Sequence, residues 1–182
     1  MGFDARVRYT KMVIRENFLS LLEEEPINKV TVKAICDGAQ INRATFYRHY
    51  LDAFDLLDQL EEELLSGLRE AMAHLLEQGS ENTLEQILTM MKENASLYGT
   101  LVKHGDPGLP HKVFKACYGA TSEYIADRYP ALSEERRAWL YSYVAQGASG
   151  VLECWIAEGM HDDPKEVAAF IERLIESNLT AL

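Results

Sequence analysis

A short run of hydrogen-bonding side chains near the N-terminus has the chemistry to contact a nucleic acid. Within eight positions stand one Asn, two Arg, one Thr, one Tyr and one His, namely Asn42, Arg43, Thr45, Tyr47, Arg48 and His49. Amide and guanidinium groups can read base edges, whereas hydroxyl and imidazole donors suit phosphate oxygens. The same run would also fit the solvated face of a short amphipathic helix, and periodicity alone does not decide between the two.

The distribution of charge favours the nucleic-acid interpretation for the N-terminal part of the chain only. The 182 residues carry a net charge of -11. Residues 1–50 contain eight Lys and Arg against six Asp and Glu, a net charge of +2. The remainder contains ten against twenty-three, a net charge of -13, and would repel a polyanion. A DNA partner must therefore meet the first fifty residues.

Other chemistries find little support in the residue types and their spacing. The three cysteines are widely spaced and form neither a disulfide framework nor a zinc pattern. No two of the five histidines stand four residues apart beside a carboxylate, and no phosphate-cradling glycine loop or nucleophile elbow is present. We therefore expect no metal, no cofactor and no enzymatic activity. The first residues lack an apolar signal segment, so we expect a cytoplasmic protein.

The elements that must position these side chains are all predicted to be helices. Apolar residues recur with a period near 3.6, and no stretch shows sustained strand-like alternation. The predicted fold is all-α: a three-helix N-terminal domain, residues 1–50, joined by a long helix to a helical bundle, residues 51–182. Helices are expected at about 4–24, 32–38, 43–49, 52–79, 83 onward, 95–103, 111–128, 134–158 and 165–179, with a loop at 104–110.

Residues 31–50 meet the physical demands of a helix-turn-helix. Thr31 and Asn42 are good N-caps for two short helices, which must cross around a small shared core. Five residues are expected to supply that core: Val32, Ile35, Ala39, Ile41 and Phe46. The second helix would then present its polar side chains to the major groove.

This segment resembles the tetracycline-repressor (TetR) family of regulators. The matching residues are Thr31-Val32, Ala39, Ile41, Thr45-Phe46-Tyr47, His49-Tyr50 and Leu56. The string from Asn42 to Tyr50 is especially similar to a subgroup common in Gram-positive bacteria. Beyond these fifty residues, the similarity lies in the number and length of the helices and in a Gly-rich, Trp-bearing penultimate helix.

The resemblance implies a role for each matched position. It places Lys33, Asn42, Arg43 and Ala44 at DNA bases, and Thr31, Thr45, Tyr47 and His49 at phosphates. Arg43 is the best candidate for a bidentate contact to guanine, because its planar fork matches O6 and N7.

Two positions depart from the family pattern. Gln40 stands where the family usually has a turn glycine, so a left-handed backbone is expected there at a modest energetic cost. Ala53 stands where the family usually has a lysine that grips a phosphate. We expect a basic residue of the first helix to make this phosphate contact instead, either Lys11, Arg6 or Arg8.

The resemblance further implies that the C-terminal helices form a homodimer and bind a small effector. The expected dimer surface comprises Tyr141, Ala145, Ala148, Leu152, Phe170 and Leu174, with internal packing as the alternative. The expected effector pocket comprises Met91, Phe114, Tyr118, Tyr143 and Trp155, although each of these also suits an ordinary core.

The function that follows is a sequence-specific transcriptional regulator, expected to be a repressor. It would bind a palindromic double-stranded operator as a homodimer, under control of a small-molecule effector whose class the sequence does not indicate. Two alternatives remain open at this point. One is an all-helical enzyme or ligand carrier, which would need a convergent polar site in residues 51–182. The other is a helical interaction module whose basic helices meet an acidic partner protein.

Overall fold

All regular structure in the described part of the chain is helical. The computed structural model describes residues 2–77, 82–116, 126–127 and 129–179. The N-terminal helices are α1 (Gly2–Glu24), a 3-10 turn (Ile27–Lys29), α2 (Val32–Gly38), α3 (Arg43–Phe46) and the long α4 (Ala53–Glu77). These are followed by α5 (Thr83–Glu93), α6 (Ala95–Thr100), a π-helical segment (Leu101–Gly105), α7 (Leu109–Ala116), α8 (Glu134–Ala157) and α9 (Pro164–Leu179). The all-α prediction is confirmed.

Packing of α1 against the following helices follows from one apolar stripe. Ile14, Phe18 and Leu22 stand four residues apart, share one face of the helix, and are completely buried. Across this face α1 contacts α2, α6 and the π-helical segment. In the larger half, α7 packs along α8, and α5 packs along α9. The α1 stripe therefore joins the small N-terminal unit to the larger helical bundle.

The start of α4 is fixed by its own acidic side chains. Asp52 Oδ1 accepts a hydrogen bond from the backbone N–H of Asp55 at 2.9 Å. Asp55 Oδ2 in turn accepts from the N–H of Leu51 at 2.7 Å. This reciprocal arrangement satisfies two backbone donors of the helix start, as a capping box does. Asp52 is the cap that its sequence position predicted.

Two predicted boundaries were wrong. The second helix of the helix-turn-helix ends at Phe46 rather than near His49, because the chain tightens into 3-10-type bonds such as His49 N–H to Phe46 C=O at 2.9 Å. The predicted loop at 104–110 is also shorter. His104 and Gly105 belong to the π-helical segment, and α7 already begins at Leu109, since a proline is tolerated in a first helical turn. The expected continuation of that helix to Arg128 falls largely outside the described residues.

Ion pairs hold α4 from two sides. On one side Arg15 of α1 pairs with Glu63 and donates from Nε to the hydroxyl of Tyr50 at 3.4 Å. On the other side Lys112 of α7 bridges two carboxylates, Glu61 Oε2 at 2.7 Å and Asp106 Oδ2 at 2.6 Å. We call Glu61, Asp106 and Lys112 the Glu61 cluster. The long helix is thus tied both to the N-terminal unit and to the C-terminal bundle.

Burial sets the electrostatics of the Glu61 cluster. The Glu61 side chain is only 3% exposed, and its second oxygen, Oε1, has no hydrogen-bond partner among the described residues. Burial raises the pKa of Glu61, and Lys112 offsets only part of that effect. Burial acts on Asp106 in the same direction, but hydrogen bonds from Lys112 and from the Gly108 N–H outweigh it and lower the pKa of Asp106. The cluster therefore holds a costly charge inside the protein.

None of the helices in the part of the chain that is described has the length and apolarity needed to cross a membrane.

Candidate nucleic-acid interface

The turn between α2 and α3 is built by local backbone bonds around a small apolar core. The Ile41 N–H donates to the Cys36 C=O at 3.0 Å, which closes the turn. Ile35 and Phe46 are completely buried beneath it. Val32, Ala39 and Ile41 are half-buried, and Val32 and Ile41 pack against the core. The predicted core residues therefore come together, with the two largest innermost.

Gln40 carries the turn in the conformation that its position predicted. Its φ is +54°, in the left-handed region that glycine adopts more easily. Two residues earlier, Gly38 leaves room for a side chain of α1. A Cβ at Gly38 would lie 2.5 Å from Oδ1 of Asn17, so Asn17 would have to move and give up its hydrogen bond to the Val13 C=O.

The four predicted base-contacting residues are exposed. Lys33 lies on α2, whereas Asn42, Arg43 and Ala44 lie at the start of α3. Asn42 also caps α3, because its Oδ1 accepts from the Thr45 N–H at 2.8 Å and from the Thr45 hydroxyl at 3.0 Å. Its amide Nδ2 has no hydrogen-bond acceptor among the described residues, so both of its N–H groups remain available for a base edge. The cap thereby orients the amide group.

The predicted phosphate-contacting hydroxyl groups differ in whether their proton is available to a phosphate oxygen. Thr31 Oγ1 accepts from the Ala34 N–H at 3.2 Å, which leaves its own proton available for a phosphate oxygen. Tyr47 is 55% exposed, and its ring meets Phe46 edge-on at a centroid distance of 5.7 Å. The Thr45 hydroxyl donates its single proton to Asn42, so it must rotate before it can donate to a phosphate. Thr31 and Tyr47 are therefore the better prepared donors.

His49 lies half-buried beside Tyr50 at a ring-centroid distance of 6.3 Å. Burial lowers its pKa, and the positive charges of Lys11 and Arg48 lower the pKa further. Lys11 extends from α1 over the same tyrosine ring, with Nζ 5.9 Å from the centroid. Ala53, at the position of the family lysine, is buried at 5% exposure. The first residue of α4 therefore has no basic side chain.

The exposed apolar face of α8 is not the face that was predicted to form the dimer surface. The structure places Ala145, Ala148 and Leu152 in the protomer's own core, and Tyr141 is half-buried. Ala145 and Leu152 therefore offer almost no surface to a second copy, which corrects those two positions, whereas Ala148 also lines the groove between α8 and α9. The exposed apolar residues of α8 are instead Trp139 and Tyr143, at 63% and 59%.

The two predicted dimer residues of α9 are on the surface. Phe170 is 46% exposed and Leu174 is 40% exposed. A groove of about 450 Å³ runs between α8 and α9. It is lined by Tyr143, Val144, Gln146, Gly147, Ala148, Val151, Ile171, Leu174 and Ile175.

The predicted effector residues do not share one environment. Met91 is completely buried, and Trp155 is 3% exposed and donates from Nε1 to the Asp162 carbonyl at 3.3 Å. Phe114 is partly buried against the same core. Tyr143 instead lines the groove between α8 and α9, and Tyr118 lies outside the described residues. Of the five, only Met91, Phe114 and Trp155 therefore belong to the buried core of the described residues or pack against it.

Sequence reasoning overlooked the Glu61 cluster, although a signal was present. Glu61 stands midway between Leu57 and Leu65, four residues from each, and both leucines are buried. An acid at that spacing must share their inward face. Despite these carboxylates, no group of three or more metal-binding side chains occurs within the residues that the structure describes.

Comparison with known proteins identifies the family. Residues 78–177 match the family model of the TetR "Transcriptional regulator C-terminal region". The chain belongs to the TetR family of transcriptional regulators. The C-terminal match is independent of the helix-turn-helix residues on which the resemblance first rested. A relative from Bacillus subtilis (strain 168), the uncharacterized HTH-type transcriptional regulator YxbF, is 22% identical over 171 residues. That alignment covers 89% of this chain but only 43% of YxbF.

Solved structures show that the TetR-family fold extends over nearly the whole chain. A TetR transcriptional regulator from Streptococcus agalactiae 2603V superposes with a TM-score of 0.70 at 23% identity, covering 94% of this chain and 96% of that one. The dihydroxyacetone kinase operon activator DhaS superposes with a TM-score of 0.63 at 18% identity, covering 95% and 97%. At these identities the likeness concerns the fold. The family and these neighbours are transcriptional regulators rather than enzymes.

Proposed function

We propose that this TetR-family regulator binds operator DNA through α3, with Lys33, Asn42, Arg43 and Ala44 at base edges. The single observation that carries the proposal is the exposed polar face at the start of α3, within the first fifty residues, whose net charge is +2 against -13 for the rest of the chain. A recognition helix commonly contacts bases through its N-terminal residues. At this helix start Arg43 provides the guanidinium fork, and Asn42 provides the oriented amide.

The backbone contacts in this proposal come from donors on both sides of α3. Thr31 has a free hydroxyl proton, and the exposed Tyr47 carries a phenol at the end of a packed ring. His49 adds an imidazole, and Thr45 can join after its hydroxyl rotates. Such contacts fix the position of the protein on the duplex but carry no sequence information.

An experiment on two variants separates these roles. Fluorescence anisotropy on a duplex selected by the wild-type protein should show that Arg43→Ala loses about 1–3 kcal/mol of discrimination at one base pair. Tyr47→Phe should weaken binding to all sequences about equally. If Arg43→Ala kept the full preference of the wild type, α3 would not be the reading helix.

We further propose that a second copy of the chain covers the groove between α8 and α9. Exposed aromatic and aliphatic side chains flank this groove, and small residues on α8 allow a second helix to approach closely. Two-fold symmetry would present two α3 helices to a palindromic operator.

Sedimentation tests the dimer. The wild type should run at twice the 20.6 kDa chain mass, and Leu174→Glu should run as a monomer. Met90→Glu, which alters an equally exposed apolar residue on α5, should stay dimeric. A Leu174→Glu protein that remained dimeric would remove this surface from the proposal.

Control by an effector belongs to the same proposal. The interior around Met91, Phe114 and Trp155 provides the apolar walls that small-molecule sites use. Ligand binding would change the separation of the two α3 helices and lower operator affinity, which amounts to repression relieved by ligand. A reporter placed behind the selected operator decides the sign. Expression that rises on deletion of the regulator supports repression, whereas a fall indicates an activator.

A further inference from the structure

Two basic side chains lie beside Tyr50, on the flank of α3, and a third acts on one of them through its charge. Lys11 reaches the tyrosine ring from α1, and His49 lies beside that ring. Arg48, next to His49, is exposed. Tyr50 is itself 2% exposed and is held by Arg15 and by the Phe46 ring at 5.6 Å. Lys11 and His49 therefore lie beside an aromatic ring that is held in place.

Among the described residues, no ion pair involves Lys11, Arg48 or His49. The charges that act on His49 are those of Lys11 and Arg48, and both are positive. The nearest carboxylates along the chain, Asp52 and Asp55, accept hydrogen bonds from backbone N–H groups at the start of α4. Arg15 pairs away from the group, with Glu63. Like charges held together raise the free energy of the free protein, and a bound anion would relieve that cost.

We propose that Lys11, Arg48 and His49 form one phosphate-binding site for the DNA backbone, and that phosphate binding there is coupled to uptake of a proton by His49. This site takes the place of the lysine that relatives carry where this chain has the buried Ala53. The inference rests on the proposed DNA binding. It assigns to α1 a direct part in that binding, and it narrows the expected substitute among Lys11, Arg6 and Arg8 to Lys11.

The direction of the proton coupling follows from the charges around the imidazole. His49 is neutral at pH 7.5 in the free protein, because burial and its two basic neighbours lower its pKa. A phosphate beside the ring favours the charged imidazolium and raises that pKa. DNA-bound protein therefore holds more protons than free protein, so operator affinity rises as the pH falls. The charged groups that act on His49 are Lys11 and Arg48, and the Tyr50 ring lies beside it.

Anisotropy titrations of the full-length protein on a selected duplex test both parts. Lys11→Gln should lower the salt-dependence slope by about one per subunit, because one phosphate contact is lost. Lys11→Arg should restore most of it, and Lys165→Gln, at an exposed lysine on α9, should leave the slope unchanged. Thermal unfolding of each variant checks that the fold persists.

The pH arm uses His49→Gln. Wild-type affinity should increase by about three- to tenfold from pH 7.5 to pH 6.0, since one histidine per subunit gains a proton. His49→Gln should abolish this rise, whereas His161→Gln, at an exposed histidine far along the chain, should retain it. A slope unchanged in Lys11→Gln, or a pH effect that persists in His49→Gln, would overturn the inference while DNA binding stands. A wild-type protein that binds no duplex would overturn both.

Discussion

Replacing Lys112 by methionine would leave the carboxylate of Glu61 in the interior without its cation. Methionine keeps much of the apolar stem of lysine, so the packing between α4 and α7 changes little. What is lost is the ammonium group that lies 2.7 Å from Glu61 Oε2. Since Oε1 already lacks a partner among the described residues, the variant carboxylate would have little to stabilise its charge.

The loss in the free energy of unfolding is limited, because Glu61 can take up a proton instead of remaining charged. A carboxyl group with an ordinary pKa of 4.5 can take up a proton at pH 7 at a cost of about 3 kcal/mol, since each pH unit is worth about 1.4 kcal/mol. Breaking a buried pair typically costs about 3–5 kcal/mol. Because the Lys112 side chain is 44% exposed, its interaction is partly screened, and the lower figure applies. We therefore expect a loss of about 3 kcal/mol in the free energy of unfolding at pH 7.

The pH dependence identifies the cause. In the variant the pKa of folded Glu61 rises further above 4.5, so the folded state holds a proton that the unfolded state has released. Stability then falls as the pH rises through this window, and the deficit shrinks by about 1.4 kcal/mol per unit as the pH falls from 7 toward 5. In the variant Asp106 also loses the hydrogen bond from Lys112 but keeps that from the Gly108 N–H at 2.7 Å, so the Glu61→Gln change is what isolates the contribution of Glu61.

Urea unfolding followed by circular dichroism at pH 5, 6 and 7 measures these differences. In the double variant Glu61→Gln/Lys112→Met the pH-dependent part of the deficit should vanish. As a matched control, Arg69→Met breaks the exposed pair with Glu62 and should cost less than about 1 kcal/mol. A Lys112→Met deficit below about 1 kcal/mol at pH 7, or one that does not change with pH, would refute the reasoning.

Three further predictions concern the helix-turn-helix, each measured by chemical unfolding beside operator binding. Gly38→Ala should lose about 1 kcal/mol, because its Cβ would displace Asn17 from its hydrogen bond to the Val13 C=O, and the added change Asn17→Ala should remove this clash. Gln40→Gly should change stability by less than about 1 kcal/mol, whereas Gln40→Val should lose more, since a β-branched residue strains a positive φ. Asn42→Ala should cost about 1 kcal/mol through the lost cap to Thr45, while Asn42→Asp should keep the cap and weaken DNA binding. An Asn42→Asp protein with unchanged DNA affinity would place that side chain away from the DNA.

The helix-turn-helix was predictable because its determinants are local. Thr31 and Asn42 cap the helices that they precede, and each hydrogen bond spans only three residues. Such caps need only the adjacent sequence, so they can be inferred without knowledge of the rest of the fold. The left-handed backbone at Gln40 was instead expected from the resemblance, because the family usually has a glycine there.

The register of α8 could not be predicted because apolar and small residues surround the helix. Ala145 and Leu152 face the protomer's core, whereas Trp139 and Tyr143 remain exposed on another face. A helix that is apolar on several sides gives no periodic signal for which side is inward. Only the packing of α7 and α9 decides it.

The Glu61 cluster and the basic side chains beside Tyr50 both depend on contacts between distant segments. Lys112 meets Glu61 across 51 residues of sequence, and Lys11 reaches the ring of Tyr50 from a separate helix. Residue types could suggest that Glu61 faces inward, but the identity of its partner follows only from the tertiary structure.

Selection of bound duplexes from a random pool tests the central claim most directly. A two-fold-symmetric pair of half-sites at fixed spacing, with enrichment that weakens as salt rises, is the result expected of a dimeric helix-turn-helix regulator. Failure to enrich any sequence, or enrichment of a site without two-fold symmetry, would contradict the account.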